Sequence, residues 1–440
     1  MGWLALFMNI RLCRGLDPAL DSLQAESGPA GNLMRFTFLH AADLHLGSPF
    51  KGLSLRDPHL AEKIGLASRE AFETLVDRAL EEKIAFAIFA GDIFDGDWRD
   101  ASIALFFNRQ IARLSRAGVR LFLLKGNHDA ESVVSKSVSL PDLAEQFPSS
   151  RAKTFEIPEL RTALHGQSFS DRSESENLAQ SYPAPKTGWF NIGVLHSSLD
   201  GRPGHANYAP CSLDDLRAKN YDYWALGHIH AHEVVSRDPM IVYPGNLQGR
   251  SIRECGAKGA MLVDVEDGAI AGLRRLIVDR ARFARIDIDA APHDTPRDLF
   301  RAVTDAAANA SRDAQGRLLA LRLTLHGATA LHATLAGDPA RWRDEAEAAL
   351  QHAGETIALE KLEIATRPLS RPARRDSEID FAALLDEVLA DPAFTETAQA
   401  ALQSIEAKSP PGAVALRDEW PALLAEARDL ALARAGALDS

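Results

Sequence analysis

Phe36-Thr37-Phe38-Leu39, running on to Asp43 and His45, decides how this chain is read, because four more short apolar runs end in the same way. Ile84 to Ala90 leads to Asp92, and Leu121 to Leu124 leads to Asn127 and His128. Ile192 to Leu195 leads to His196, and Trp224-Ala225-Leu226 leads to His228 and His230. Short apolar runs bounded by turn residues read as buried strands. In an open α/β sheet ligands gather beyond the carboxyl ends of the strands, so five such endings point into one crevice. In extended chain residues i and i+2 face the same way, so Asp43 with His45, and His228 with His230, should each enter that crevice as a pair.

The residue types at these endings point to metal chemistry. Asp92, after the tight Gly91, offers a carboxylate whose two oxygens can bridge two ions; Asn127 offers a carbonyl oxygen and His196 an imidazole. A mixed His, Asp and Asn set without thiolate suits manganese, iron or zinc rather than a structural zinc site. Two ions roughly 3.5–4 Å apart activate water and clamp the phosphoryl oxygens of an in-line displacement. His128, beside Asn127, is expected to protonate the leaving oxygen or stabilise its charge, with Asp129 orienting the ring. A lone His at a strand end, or a lone Gly-Asp, is ordinarily structural. The ordered set Asp-x-His, Gly-Asp-x-x-Asp, Gly-Asn-His-Asp, His, Gly-His-x-His carries the inference.

At 440 residues and 46% hydrophobic, the chain can bury one large core and at least one further domain. Its longest apolar stretches fall short of the roughly 20 residues that span a bilayer, so no membrane segment is expected. Met1-Gly2-Trp3-Leu4-Ala5-Leu6-Phe7 lacks the early positive charge and small-residue cleavage site of a secretory signal, which predicts a cytoplasmic protein. Cys13, Cys211 and Cys255 are too few and scattered for a disulfide framework or zinc knuckle. A net charge of −12 argues against holding nucleic acid on a broad basic surface. It leaves a nucleic acid substrate open, since two divalent ions add about four positive charges at one spot and a partner can supply further grip.

Residues 1–33 lack a periodic pattern and end in Gly28-Pro29-Ala30-Gly31-Asn32, so they read as a disordered or misassigned extension with Met34 the functional start. A helix is expected near 60–82 from Phe72, Leu75, Val76, Ala79 and Leu80, and another from about Asp100 to Ala117 with Gly118 as its stop. This β-α-β-α-β order favours a sheet with helices on its faces. The stretch 131–190 reads as short strands and loops over one edge. Ser212 with Asp215 reads as a capping box, and Met240 to Val265 as the second half of a layered sandwich. Strand, helix, strand, helix, strand alternation at 281–370 predicts a small α+β domain. Arg371 to Asp376 is a polar linker, and 378–440 is helical around a Ser409-Pro410-Pro411-Gly412 break.

The blocks His40-Ala41-Ala42-Asp43-Leu44-His45-Leu46-Gly47, Ala90-Gly91-Asp92-Ile93-Phe94-Asp95 and Lys125-Gly126-Asn127-His128-Asp129 resemble the calcineurin-like metallophosphoesterases. Within that family they are similar to the bacterial DNA repair exonucleases of the SbcD type. Tyr221 to His230, with Tyr243-Pro244-Gly245-Asn246-Leu247-Gln248-Gly249-Arg250, resembles the YhaO-type branch. The likeness covers about 34–270 and weakens beyond 281. It implies an α/β metallophosphoesterase fold, a four-layer β-sandwich flanked by helices over 34–280. The α+β cap at 281–370 and a linker and helical tail at 371–440 complete the expected plan.

The family pattern makes Asp43, His45, Asp92 and His230 ligands of one ion, and Asp92, Asn127, His196 and His228 ligands of the other. Manganese is the first choice, with magnesium, iron or zinc as alternatives. Asp95 and His205 are second-tier candidates that would touch the site through water, and Arg250 and Arg253 are candidates to meet the DNA backbone or support the site. The relatives work with an SbcC-like coiled-coil ATPase. The apolar stripes Phe381, Leu384, Leu385, Val388 and Trp420, Leu423, Leu424 are either core or its dock. A homodimer is left open. The resulting expectation is a two-metal DNA exonuclease of repair. A phosphoesterase for small substrates and a non-catalytic scaffold presenting DNA ends to the ATPase are the rivals.

Overall fold

A computed structural model describes residues 34–48, 58–95, 101–131, 140–201, 208–369, 381–406 and 420–438. The expectations for 1–33, His205, the linker and the 409–412 break lie outside them.

The chain opens with β1 (Arg35–Ala41), α1 (Pro58–Glu81), β2 (Phe86–Ala90), α2 (Ala101–Arg116), β3 (Arg120–Leu124), α3 (Asn127–Glu131) and β4 (Ala144–Gln146). β1 to β4 are parallel neighbours. The runs of β2 and β3 are apolar at almost every position because both faces are covered. Leu39, Ala87, Phe89, Leu121 and Leu123 meet α1 and α2 through Phe72, Leu75, Phe107 and Ile111. The alternate positions Phe36, Phe38, Phe86, Ile88 and Phe122 face the other way. Gly118 (φ +83) lets the chain leave α2 in the left-handed conformation that stops a helix.

Next come β5 (Lys153–Ile157), β6 (Thr162–Gly166), β7 (Phe190–His196), α4 (Leu213–Ala218), β8 (Tyr223–Gly227), β9 (Glu233–Arg237) and β10 (Met240–Tyr243). They form a second sheet in the order β5-β6-β7-β8-β10-β9. The short strands expected in 131–190 form as β4, β5 and β6, but β6 lies inside the second sheet and not over an edge, a correction to the expected placement. Its Thr162 and His165 disguise it. The His165 ring is satisfied inside, by Thr154 Oγ1 at 2.8 Å and Asn191 Oδ1 at 3.1 Å. The capping box of α4 forms as expected, Ser212 accepting from Asp215 N–H.

β11 (Gly259–Glu266) and β12 (Ala269–Ile277) return to the first sheet, β11 pairing antiparallel with β1 from Arg35↔Glu266 to His40↔Met261. The stretch 240–265 is therefore split between the sheets, a second correction. Face to face, the sheets enclose Phe36, Phe38, Phe86 and Phe122 with Leu164, Ile192, Val194, Tyr223 and Val242. Phe38 lies flat on Phe86 at 4.9 Å and edge-on to Tyr223 at 5.3 Å. α4 and a one-turn segment at Leu178 cover the outer face of the second sheet over Trp224, Leu226 and Tyr243. The result is four layers, helix, sheet, sheet, helix.

A third sheet follows from β13 (Ala281–Asp289), α5 (Pro296–Ala314), β14 (Leu318–Ala328), α6 (His332–Gly337), α7 (Pro339–Ala353) and β15 (Ile357–Arg367). Its strands are parallel in the order β13-β14-β15, with α5 and α7 on one face over Leu319, Leu321, Leu323 and Leu325. The opposite face rests on the sandwich, Ala281 and Leu318 against Ile64 and Ala67 of α1, and Phe283 and Ala320 against Ile252. α8 (Phe381–Ala390), α9 (Pro392–Glu406) and α10 (Trp420–Leu438) close the described chain. α10 packs on α6, and Arg428 pairs with Asp386 of α8. Trp420, Leu423 and Leu424 are half-buried, whereas Phe381, Leu384 and Val388 stay exposed. Among the described residues no helix is long and apolar enough to cross a membrane.

Phe38 sits where the two sheets meet, so Phe38→Ala should cost about 3–5 kcal/mol, the range for buried Phe truncation. Urea titration should show a lower midpoint at unchanged slope. A loss below about 1 kcal/mol would mean the inter-sheet core collapses around the cavity.

Candidate metal centre

The candidate ligands all lie at strand ends, but on both sheets. Asp43 and His45 follow β1, Asp92 follows β2, and Asn127 and His128 open α3 after β3. His196 ends β7, and His228 and His230 follow β8. The crevice is thus the seam between two sheets. Asp43 (φ 52), His45 (φ 43), Asp92 (φ 53) and His228 (φ 101) have positive φ, so the extended-chain pairing expected of Asp-x-His and His-x-His does not occur. Such conformations are uncommon outside glycine and cost of order 1–3 kcal/mol each, and they cluster at functional sites. Here the backbone is held in place: Asp43 and His45 donate N–H bonds to the carbonyls of Gly91 and Asp92, both at 3.0 Å. As a result the rings after β8 part company. His230 faces His45, and His228 stands edge-on to His196 at 5.3 Å.

Asp92 Oδ2 is the central atom. His45 Nε2 lies 3.7 Å from it and His196 Nε2 3.5 Å. Asp43, His45 and His230 bring one ligand atom each within 4.8 Å of one another, and so do Asp43, Asp92 and His196. Asn127 Oδ1 is 3.0 Å from His196 Nε2. The carboxylates are anchored by backbone: His228 N–H donates to both Asp43 oxygens at 3.0 Å, and His128 N–H to Asp92 Oδ1 at 2.9 Å.

This donor set fits a cation. The carbonyl of Ala90, 2.9 Å from His196 Nδ1, can only accept, so a neutral His196 presents a lone pair at Nε2. That lone pair faces Asn127 Oδ1 and Asp92 Oδ2, both acceptors. Glu254 Oε1, 2.7 Å from His230 Nδ1, likewise leaves the His230 Nε2 lone pair directed at His45 Nε2, 3.1 Å away. His45 Nδ1 is buried with no hydrogen-bond partner among the described residues. A neutral His45 can donate from Nε2 to the His230 lone pair, but around His196 acceptors are aimed at acceptors, an arrangement that a proton or a metal ion stabilises. Burial opposes charge on His196, but Asp92 and Asp43 outweigh it and push the imidazole up to about 9. Burial would raise Asp92, yet His196 and His45 hold it well below the usual carboxylate range. Metal binding here is expected to displace protons.

His128 stands edge-on to His45 at 4.8 Å and is a quarter exposed, so it can reach a substrate. Its Nδ1 lies 2.9 Å from Asp95 Oδ1, a contact of ion-pair length rather than an aligned hydrogen bond. Burial opposes the His128 cation, and Asp95 and Asp92 overcome it, raising the ring above its ordinary range. The expectation that Asp129 orients His128 is corrected. Asp129 is buried and accepts from the backbone N–H groups of Ile93, Phe94 and Gly126 at 2.9–3.1 Å. Residues i and i+1 of a helical turn do not face each other, which adjacency in the sequence conceals. Burial and Asp92 push the Asp129 carboxyl up to about 6.

Arg250 Nη2 is 3.2 Å from His230 Nδ1 and 3.3 Å from Glu254 Oε1, whereas Arg253 is exposed. Sequence reasoning misses Glu254; four residues after Arg250 in a glycine-rich loop, it carries no distinguishing signal. Gly126 enters that reasoning only as part of a motif. Its role is clearance, since a Cβ there would overlap Asp92 Oδ1. His40, behind the site, spans Tyr223 Oη at 2.9 Å and the Leu226 carbonyl at 3.1 Å.

Comparison with known proteins places residues 36–232 in the calcineurin-like phosphoesterase family and matches residues 283–367 to the middle domain of metallophosphoesterase YhaO. The uncharacterized metallophosphoesterase YhaO of Bacillus subtilis is 36% identical over 304 residues, covering 67% of this chain and 72% of that protein. The DNA double-strand break repair protein Mre11 of Sulfurisphaera tokodaii is 25% identical over 257 residues, 55% of this chain and 62% of that one. The same protein of Methanopyrus kandleri is 26% identical over 275 residues, 55% and 57% respectively. A component of the nuclease SbcCD of Escherichia coli K12 is 25% identical over 284 residues, 54% of this chain and 68% of that one.

The two acids beside His128 should behave differently when removed. Asp129→Ala strands three backbone donors at about 1–3 kcal/mol each and should lower the melting temperature sharply. Asp95→Ala should melt near wild type and lose activity. Equal stability losses for the two variants would refute the buttress role given to Asp129.

Proposed function

Because the chain belongs to the YhaO-type calcineurin-like metallophosphoesterases, we propose that it is a metal-dependent nuclease that hydrolyses phosphodiester bonds at DNA ends. The observation that carries this reading is Asp92 Oδ2 lying between His45 and His196 at the seam of the sandwich, with acceptors directed at acceptors around it. Asp43, His45, Asp92 and His230 would hold one divalent ion, and Asp92, Asn127, His196 and His228 the other. Ions bound there supply positive charge against the phosphoryl oxygens and lower the pKa of the attacking water. Manganese is the proposed metal.

The chain's own groups do the rest. His128, held at Asp95 and favoured as a cation, donates a proton to the leaving oxygen. Arg250 and Arg253 lie on the loop nearest His230, where a phosphate backbone would pass. Repair and nuclease functions named for the relatives support DNA as substrate. A chain at −12 holds DNA weakly by itself, so the proposal includes a coiled-coil ATPase partner in the cytoplasm that supplies the missing grip. The exposed stripe of Phe381, Leu384 and Val388 is its proposed dock, since Trp420, Leu423 and Leu424 are already half-covered.

The test is purified protein with manganese, offered linear DNA, circular DNA and a nitrophenyl phosphodiester. Linear DNA should be degraded; cleavage of the small diester alone would favour the small-substrate reading. Asp92→Ala should fold yet lose most bound metal, and two ions retained per chain would refute the bridge. His128→Ala should keep its metal and slow DNA hydrolysis on the order of 10²–10⁴-fold, the usual worth of general acid–base catalysis. The nitrophenyl diester, whose leaving group needs no proton, should be nearly unaffected. An equal loss on both substrates would refute proton donation.

A further inference from the structure

Glu254 lies outside the proposed ligand set, yet its carboxylate reaches His230, one member of that set. Its side chain is only 14% exposed. Oε1 lies 2.7 Å from His230 Nδ1 and 3.3 Å from Arg250 Nη2. Oε2 accepts from Asn246 Nδ2 at 2.9 Å and from Arg250 N–H at 2.8 Å. A neutral imidazole has one N–H, and the partner at one nitrogen decides which nitrogen keeps the lone pair. Facing a carboxylate, His230 must place its proton on Nδ1. The lone pair is then on Nε2, the side that faces His45 and Asp43.

Arg250 makes the choice sharp. Its Nη2 is 3.2 Å from the same Nδ1 and can only donate. With Glu254 removed, that guanidinium would favour the opposite tautomer, with a proton on Nε2 where a metal should bind. The carboxylate cannot follow a displaced ring, because its loop is fixed at both sides. Gly256 N–H donates to the Phe283 carbonyl at 3.0 Å, Ile252 packs on Phe283 and Ala320 of the third sheet, and Lys258 Nζ donates to the His230 carbonyl at 2.9 Å.

We propose that Glu254 is a positioning residue that holds His230 in the tautomer with its lone pair on Nε2, and that it thereby sets the affinity of one of the two metal subsites. This rests on the two-metal reading for its second half only. Glu254→Gln is the decisive variant because it keeps the shape. Two donors, Asn246 Nδ2 and the Arg250 N–H, hold the amide oxygen at the Oε2 position, which turns the amide NH₂ towards His230 Nδ1. The variant therefore inverts the polarity of that one contact.

The experiment is nitrogen NMR of histidine-labelled, metal-free protein, followed by manganese titration of wild type and variant. In wild type His230 should carry its proton on Nδ1, and in Glu254→Gln on Nε2. One manganese-binding step should weaken about 10–100-fold, the usual cost of losing a histidine's outer partner, and the other should stay as in wild type. An unchanged tautomer in folded Glu254→Gln overturns the proposal, as does a changed tautomer with both binding steps intact. If Glu254→Gln does not fold, Glu254→Ala is read the same way, with Arg250 Nη2 as the donor facing Nδ1. A wild type that binds no manganese refutes the two-metal reading, and the tautomer measurement then still decides what Glu254 does to His230.

Discussion

The constraint on which this structure turns is the burial of several hydrogen-bond acceptors around one point. Asp92 Oδ2, Asn127 Oδ1 and the lone pairs of His196 and His230 lie at the seam of two sheets. Burying acceptors side by side is costly, so the surrounding chain has to hold them in place, and a bound cation would offset the cost. Backbone N–H groups do much of this. His228 N–H serves Asp43, His128 N–H serves Asp92, and three more serve Asp129 behind the site. Carboxylates held by backbone cannot swing away, so the ligand atoms stay near one another.

Strained backbone needs a stiff support. Asp43, His45, Asp92 and His228 all sit at positive φ, and each follows the end of a strand of the double sheet within four residues. The aromatic packing of Phe38 on Phe86 and Tyr223 joins the sheets a few residues below the ligands. Stability from the inter-sheet core thus offsets strain at its rim, the common relation between a functional site and its scaffold. Glycine matters at the same place, because Gly126 leaves the room that the Asp92 carboxylate occupies.

Among the described residues, the third sheet bears on the centre through the loop that carries Arg250 and Glu254. Its face meets Ile252, and the residues on either side, Arg250 and Glu254, reach His230. A unit that follows the sandwich in sequence therefore helps fix how one candidate ligand is presented. Two charged groups of opposite sign compete for one imidazole nitrogen, and the shorter contact belongs to the carboxylate.

Much of the architecture was legible in the residues themselves. Strands buried on both faces must be apolar throughout, so β1, β2, β3, β7 and β8 announce themselves, and polar residues at their ends stand out against that background. Helix stops and caps at Gly118 and Ser212 are local chemistry and were equally plain. What sequence could not supply is anything decided by contact between distant segments. It did not show that the strand endings divide between two sheets, or that β6 is an interior strand whose His165 is satisfied by Thr154 and Asn191. It assigned His128 to its neighbour Asp129, whereas folding brings Asp95 to it and turns Asp129 inward. Nor could it find Glu254, whose importance lies in a 2.7 Å contact made across 24 residues of chain. Local patterns record burial and turns because those are imposed on each residue separately; which side chain meets which is set only when the sheets close.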